Sequence, residues 1–203
     1  MQDQHSPEAC KARQGHHGHG HGRGPSSFWM HDPKEVFDQL ALKPGDWVLD
    51  LGAGPGDYSL MAAELVGPTG MVLALDKWET GFRELTRKAT DLGLAQLKPI
   101  LTDITRKLPI KDGCIDLCLI STVLHIFPKP KFELKMFEEI KRVLKPKGRL
   151  AVIECKKEDQ PWGPPKHMRI SPDEMIQGLA PYGYVKCAYK DLGKTYLIQF
   201  EIA

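Results

Sequence analysis

The chain has 203 residues, 41% of them hydrophobic and 27% charged, the composition of a globular protein that fits one domain. Its formal net charge is +2 and its basic residues are spread along the chain, which disfavours a nucleic-acid-binding protein. There is no run of about 18 apolar residues that would predict a transmembrane helix, and the polar first 25 residues do not resemble a secretory signal. We therefore expect no membrane association and a cytoplasmic location. The five cysteines match no zinc or redox spacing and are expected to be reduced thiols.

Histidine and glycine dominate the start of the chain. Such a low-complexity segment cannot bury apolar surface, so the sequence predicts a disordered tail over residues 1–27 and a folded domain over residues 28–203. Glycines between the histidines make a flexible chelator, for which we expect weak binding of divalent metals. The tail histidines concerned are His16, His17, His19 and His21. No metal site is predicted in the folded domain.

Helices and strands alternate in the folded part. A helix is predicted to begin at Asp32-Pro33-Lys34-Glu35, where an acidic N-cap precedes a proline. Beyond residue 45, near-continuous apolar strands separated by amphipathic helices indicate a parallel sheet covered on both faces. The predicted strands are Trp47–Leu51, Met71–Leu75, Pro99–Thr102, Ile115–Ser121 and Arg149–Glu154. The predicted helices between them cover residues 57–66, 79–92 and 131–145.

The C-terminal part breaks this alternation. Ser171-Pro172-Asp173-Glu174 predicts another helix start, and two strands are predicted near Tyr184–Tyr189 and Thr195–Ile202. The short connection between those strands permits only an antiparallel pair. We therefore predict an α/β fold: a Rossmann-like, doubly wound, mostly parallel seven-stranded sheet with one antiparallel C-terminal strand and helices on both faces.

Three glycines directly follow the first predicted strand, in Asp50-Leu51-Gly52-Ala53-Gly54-Pro55-Gly56. Doubly wound sheets bind nucleotide-like ligands at such a strand-to-helix turn, where glycine lets a ligand approach the backbone. The spacing G-x-G-x-G differs from the G-x-G-x-x-G of dinucleotide sites. The carboxylate of Asp50 would repel a pyrophosphate, whereas it suits a cationic amino or sulfonium group.

The run from Val48 to Gly56 resembles the first motif of class I S-adenosylmethionine-dependent methyltransferases. The resemblance extends over roughly residues 30–203 and is closest to the small-molecule group that includes ubiquinone and menaquinone biosynthesis enzymes. It implies S-adenosylmethionine as the cofactor and methyl transfer to a small-molecule acceptor, which the sequence does not identify. It also implies that Asp76, which closes the second strand, accepts the ribose hydroxyls.

The same resemblance assigns the remaining contacts of the cofactor. Lys77 would flank the adenine, Asp103 would accept a hydrogen bond from its amino group, and the backbone of Ile104 would touch the ring. Ser121 and Thr122 would lie beside the methionine moiety. The expected cofactor-binding residues are Asp50, Gly52, Ala53, Gly54, Gly56, Tyr58, Asp76, Lys77, Asp103, Ile104, Ser121 and Thr122.

On the acceptor side, methyl transfer needs alignment of the two reactants and exclusion of water, and it needs a base only where the acceptor loses a proton. His125 follows the fourth strand and is predicted to be the catalytic base or a substrate contact, because histidine takes a proton near neutral pH. Further substrate contacts are predicted at Glu154, His167 and Arg169. Arg169 would suit an anionic acceptor.

Two alternative functions stay open at this point. A nicotinamide-dependent oxidoreductase could share the sheet topology, although the glycine spacing disfavours it. A methyltransferase-like fold could also serve as a binding module with a metal-binding histidine tail, although Asp76 and Asp103 disfavour that.

Overall fold

A computed structural model describes residues 26–127 and 135–203. The tail histidines and the beginning of the helix predicted over residues 131–145 lie outside the described residues. Within the two described ranges, no helix is both long enough and apolar enough to cross a membrane.

Seven strands form one sheet. They are β1 (Trp47–Leu51), β2 (Met71–Asp76), β3 (Leu97–Leu101), β4 (Ile115–Ser121), β5 (Leu144–Cys155), β6 (Tyr184–Leu192) and β7 (Thr195–Ile202). Their order across the sheet is β3-β2-β1-β4-β5-β7-β6. The pairs from β3 to β5 are parallel, and β7 runs antiparallel to both of its neighbours. This confirms the predicted fold class, and it places the single reversed strand one position inside the edge.

Helices cover both faces of the sheet. They are α1 (Pro33–Leu40), α2 (Asp57–Val66), α3 (Glu79–Asp91), α4 (Met136–Val143) and α5 (Pro172–Leu179). Alternate residues of β4 enter two different apolar clusters, as the pleat of a strand requires. Leu117 and Leu119 pack in the cluster that contains residues of α1 to α3, whereas Cys118 and Ile120 pack in the cluster that contains residues of α4 and α5.

The predicted helix starts appear as capping hydrogen bonds. The Asp32 side chain accepts from the N–H of Lys34, and Ser171 forms a reciprocal capping box with Glu174. The helix predicted to reach residue 145 ends at Val143 instead, because Leu144 already pairs with Ile115 at the start of β5.

A short 3-10 helix, Ser27–Met30, precedes α1. The Ser26 side chain caps it, and both Ser27 and Phe28 are buried. Ser26 and Ser27, which the sequence prediction placed in the tail, are therefore part of the folded unit.

Candidate active site

The glycine loop after β1 has a backbone that only glycine adopts readily. Gly52, Gly54 and Gly56 have φ values of +83°, +56° and +80°. The N–H groups of Gly52 and Ala53 both donate to the carbonyl of Leu75, at 2.7 and 3.0 Å, so the loop is fastened to the end of β2. A Cβ built on Gly54 would meet no atom within 4 Å. At Gly54 the loop therefore faces open space, where a ligand can pass close to its backbone.

Asp50 lies under this loop and is 3% exposed. Its Oδ2 accepts a hydrogen bond of 2.5 Å from the Ser59 hydroxyl. Burial raises the pKa of the Asp50 carboxyl to about 7, against the lowering effect of the Ser59 hydrogen bond and with a further rise from Asp76. A cationic group would therefore stabilise the carboxylate, as the ammonium of an amino-acid moiety would do.

Asp76 ends β2 and links the loop to the next helix. One carboxylate oxygen accepts from the N–H of Gly54 and the other from the N–H of Trp78, both at 2.9 Å. The acid predicted to bind ribose is thus fixed against the glycine loop. Lys77 beside it is exposed.

Asp103 and Ile104 follow β3 at the same edge. Asp103 is exposed, and hydrogen bonds from the Thr105 hydroxyl and N–H, 2.7 and 3.0 Å long, hold the pKa of its carboxyl below the ordinary value. Ile104 is half-buried against the apolar cluster of α4 and α5. The ends of β1, β2 and β3 thus bring the acids predicted to bind the cofactor to one edge of the sheet.

His125 and Glu154, which the sequence predicted on the acceptor side, form a pair. Glu154 is fully buried at the end of β5, and its Oε2 lies 3.1 Å from Nδ1 of His125. Its Oε1 accepts from the N–H groups of Leu124 at 2.8 Å and His125 at 3.4 Å. The sequence predicted both side chains as separate substrate contacts. The structure instead makes Glu154 the group that orients His125.

A tight turn connects β4 to His125. Thr122 has φ of +51°, a left-handed conformation that costs a β-branched residue roughly 1–3 kcal/mol. Its N–H donates to the carbonyl of Ile153 at 2.8 Å. The turn keeps Ser121 and Thr122 at the carboxyl edge, where the sequence predicted the methionine moiety.

Arg169 does not face a substrate. Its side chain is buried, and its five N–H groups donate to the carbonyls of alternate residues 156, 158, 160, 162 and 164, over 2.7–3.5 Å. The predicted contact with an anionic acceptor is therefore wrong, because the guanidinium organises the connection after β5. A cavity of about 540 Å³ is lined by this connection itself. His167 is exposed on the short 3-10 helix Lys166–Met168, and its substrate contact stays a prediction.

Two of the predicted cofactor residues, Tyr58 and Ser121, lie among further polar side chains that the sequence did not reveal. The Ser27 and Ser121 hydroxyls are 2.8 Å apart. Nε2 of His31 lies 2.8 Å from the Tyr58 oxygen, and its Nδ1 lies 3.1 Å from the hydroxyl of Thr195. Burial raises the pKa of Tyr58 to about 12, against the lowering effect of the Ser121 and Ser27 side chains.

Comparison with known proteins identifies this arrangement. A methyltransferase-domain family model matches residues 42–197. The chain belongs to this family. It also superimposes on the crystal structure of an S-adenosylmethionine-dependent methyltransferase from Aquifex aeolicus with a TM-score of 0.78 and 31% identity, over 89% of this chain and 94% of the other. The predicted family and cofactor are confirmed, and the nicotinamide-dependent alternative is wrong.

Curated relatives carry more specific names. The demethylmenaquinone methyltransferase of Lactobacillus johnsonii is 32% identical over 138 residues, which is 68% of this chain and 54% of the relative. A ubiquinone/menaquinone biosynthesis C-methyltransferase of Pasteurella multocida is 34% identical over 134 residues, 64% of this chain and 48% of the relative. The chain thus spans about half the length of the curated relatives it matches.

The residues at the carboxyl edge fit S-adenosylmethionine. The glycine loop is open at Gly54, Asp50 offers a buried carboxyl for the ammonium, and Asp76 offers oxygens at the end of β2.

In residues 26–127 and 135–203, no group of three or more His, Cys, Asp or Glu side chains could hold a metal ion.

Proposed function

We propose that the protein transfers a methyl group from S-adenosylmethionine to a carbon atom of a small-molecule acceptor that loses a proton. The His125–Glu154 pair carries this proposal, because a buried carboxylate on Nδ1 prepares the other ring nitrogen to take a proton. The name of the Pasteurella multocida relative, a C-methyltransferase, supports carbon as the acceptor atom.

The proposed cofactor contacts follow the carboxyl edge of the sheet. The Asp50 carboxylate would receive the ammonium, and the backbone of Gly52, Ala53, Gly54 and Gly56 would line the methionine and ribose. Asp76 would accept the ribose hydroxyls, and Lys77, Asp103 and Ile104 would surround the adenine. Ser121 and Thr122 would lie beside the methionine moiety. When bound, S-adenosylmethionine supplies an electrophilic methyl group and leaves as S-adenosylhomocysteine.

The protein's own part is to align the acceptor and to move one proton. Nε2 of His125 takes the proton from the acceptor carbon, and the electron pair left on that carbon forms the new bond to the methyl group. The bond from sulfur to that methyl group breaks, and its electrons stay on sulfur. Glu154, 3.1 Å from Nδ1, stabilises the imidazolium, and its burial strengthens that attraction.

Calorimetry with S-adenosylmethionine, S-adenosylhomocysteine and NAD separates this function from a plain binding module. The proposal requires micromolar binding of the first two and release of S-adenosylhomocysteine with at least one member of a metabolite panel. Binding without turnover on any acceptor would favour the binding module, the second function kept open. Absence of S-adenosylmethionine binding would exclude both the methyltransferase and the binding module.

Variants of the pair test the base. His125→Gln should lower kcat by about 10²–10⁴-fold, the usual contribution of a positioned base, and leave affinity for S-adenosylhomocysteine unchanged. Glu154→Gln should lower kcat in the same direction, because the imidazolium loses its counter-charge. His5→Ala, a histidine substitution in the tail, serves as the matched control with unchanged kcat.

We further propose a cytoplasmic location, supported by free thiols at Cys114, Cys118, Cys155 and Cys187. We also propose weak binding of divalent metals by the tail residues His16, His17, His19 and His21. The methyltransferase domain is proposed over residues 28–203, extended at its start by Ser26 and Ser27. Titration of the whole chain with Ni²⁺, compared with a variant that carries alanine at these four positions, tests the metal proposal. Equal heats from both proteins would exclude it.

A further inference from the structure

Ser59 is a buried serine in the first turn of α2, just past the glycine loop. Gly56 is the N-cap of this helix, so Ser59 does not act as its capping residue. Ser59 is fully buried on the helix face that it shares with Ala62 and Ala63. A buried hydroxyl loses its hydration and needs a hydrogen-bond partner within the protein. The partner of Ser59 therefore indicates what this side chain does.

The partner is the acid that precedes the glycine loop. The Ser59 hydroxyl donates to Oδ2 of Asp50 at 2.5 Å, so the hydrogen bond spans the loop from the end of β1 to α2. Asp50 is 3% exposed, and within residues 26–127 and 135–203 its carboxyl accepts no other hydrogen bond. Ser59 thus fixes one carboxylate oxygen and leaves the other, Oδ1, to a ligand.

Acidic and neutral groups surround Asp50. Asp76 at the end of β2 and Asp57 at the start of α2 both disfavour the charge of its carboxylate. The Cys118 thiol on β4 and the Tyr58 hydroxyl on α2 also feel that charge, and burial raises the pKa of both groups, so they are neutral at pH 7. A cationic ligand is therefore the favourable partner for this carboxylate.

The Ser59 hydrogen bond opposes the effect of these surroundings. Burial raises the pKa of the Asp50 carboxyl to about 7 with a further rise from the two neighbouring acids, whereas the Ser59 hydroxyl lowers it because it bonds to the ionised form. Without that hydroxyl the carboxyl would keep its proton to higher pH. An arriving ammonium would then have to displace the proton, which weakens binding near neutral pH.

We propose that Ser59 is a positioning residue for the cofactor, whose hydroxyl keeps the Asp50 carboxylate ionised and fixed where the ammonium of S-adenosylmethionine binds. This inference rests on the proposed function, in which Asp50 receives that ammonium. Ser59 acts through Asp50, because its hydroxyl is directed at that carboxylate. A purely structural hydroxyl would instead fasten the glycine loop, and its loss would weaken the binding of every part of the cofactor alike.

5′-Methylthioadenosine separates these two roles, because it keeps the adenosine and the sulfur of S-adenosylhomocysteine but lacks the ammonium. Calorimetry on the full chain at pH 7 compares the two ligands. Ser59→Ala should weaken S-adenosylhomocysteine binding by about tenfold or more, the loss expected for a hydrogen bond to a charged group, and leave 5′-methylthioadenosine binding unchanged. Thr90→Ala is the matched control, since it removes a helix hydroxyl that donates to the Thr86 carbonyl on exposed α3. It should bind both ligands as the wild type does.

Three further measurements follow the effect through Asp50. The deficit of Ser59→Ala should narrow from pH 7 to about pH 8.5, because the carboxyl loses its proton there in both proteins. In an Asp50→Asn background, Ser59→Ala should cause no further loss, because the group on which it acts is absent. Ser59→Cys keeps the size of the side chain with a weaker donor, and its affinity should lie between those of the wild type and Ser59→Ala. If Ser59→Ala does not fold, Ser59→Cys carries the same comparison of the two ligands.

Four results would overturn the inference while the wild type still binds S-adenosylhomocysteine, which leaves the methyltransferase assignment intact. The first is unchanged S-adenosylhomocysteine affinity in Ser59→Ala. The second is an equal loss for both ligands, which would assign Ser59 to the structure of the loop. The third is a deficit that stays level up to about pH 8.5, and the fourth is an undiminished loss in the Asp50→Asn background. Failure of the wild type to bind S-adenosylhomocysteine at all would instead refute the proposed function.

Discussion

Val123 packs directly on Gly52. A Cβ built on Gly52 would lie 2.6 Å from a Val123 methyl carbon, closer than atoms approach in proteins. Gly52 belongs to the cofactor loop, and Val123 lies two residues before His125. The glycine loop and the turn that leads to His125 therefore meet through the Val123 side chain, and a methyl group added at Gly52 would push them apart.

Gly52→Ala should reduce the free energy of unfolding by roughly 2–4 kcal/mol, because a left-handed backbone and an overpacked contact both oppose it. It should also weaken S-adenosylhomocysteine binding, since the loop has to move. Gly113→Ala is the matched control: its φ is +59° and its Cβ would meet nothing within 4 Å. Urea unfolding and calorimetry measure both effects. Equal losses in the two variants would contradict the packing argument.

Asp50 should make cofactor binding depend on pH. Its pKa of about 7 lies above that of the unfolded chain, so the folded protein holds a proton that the unfolded chain has lost between about pH 4 and pH 7. Stability should fall as pH rises through that window. S-adenosylmethionine affinity should rise instead, by at most about tenfold per pH unit, because the ammonium needs the carboxylate.

Calorimetry from pH 5 to pH 8 tests this coupling. Asp50→Asn removes the titrating group and should flatten the pH dependence of both stability and affinity over that range. A wild-type affinity that is level over the same range would show that Asp50 does not receive the ammonium.

Asp76→Ala should weaken S-adenosylhomocysteine binding by about 1.5–3 kcal/mol, the range for hydrogen bonds to a charged group. The measured loss of binding free energy also includes the hydrogen bond that this carboxylate accepts from the Gly54 N–H. Asp116→Ala is a suitable control, because that acid accepts from the Trp47 N–H at the opposite end of the strands. It should lower stability and leave binding unchanged. Unaltered affinity in Asp76→Ala would remove this acid from the ribose site.

Arg169→Met should destabilise the connection after β5. Five carbonyls would lose their donor. An unsatisfied buried acceptor costs about 1–3 kcal/mol, and water can reach part of this connection, so we expect a loss of about 1–3 kcal/mol in total or local opening. Trypsin should then cut faster at Lys156, Lys157 and Lys166. Arg83→Met, an exposed substitution on α3, provides the comparison. Resistance to trypsin equal to that of the wild type would mean that the connection holds its shape without the guanidinium.

The sheet and the cofactor loop could be predicted because their signals are local. Apolar runs such as Ile115–Ser121 identify buried parallel strands, and the glycine spacing with Asp50 identifies a strand-to-helix turn for a cationic ligand. His125 and Glu154 could each be selected as polar residues after strand ends. Their pairing depends on β4 and β5 being neighbours, which the sequence does not specify.

The contacts that the sequence did not predict join distant segments. Ser27 meets Ser121 across 94 residues, and His31 meets Thr195 across 164. No spacing rule connects such positions. The prediction for Arg169 failed for another reason. Its charge indicated an anionic ligand, but its N–H groups donate to backbone carbonyls of its own connection.

The Ser27 and His31 contacts have a consequence for truncated versions of this protein. The segment that the family model matches begins at residue 42 and leaves both residues out. A protein trimmed to that boundary would lose the Ser27 contact with Ser121 and the His31 contacts with Tyr58 and Thr195, which hold the N-terminal segment against α2, β4 and β7.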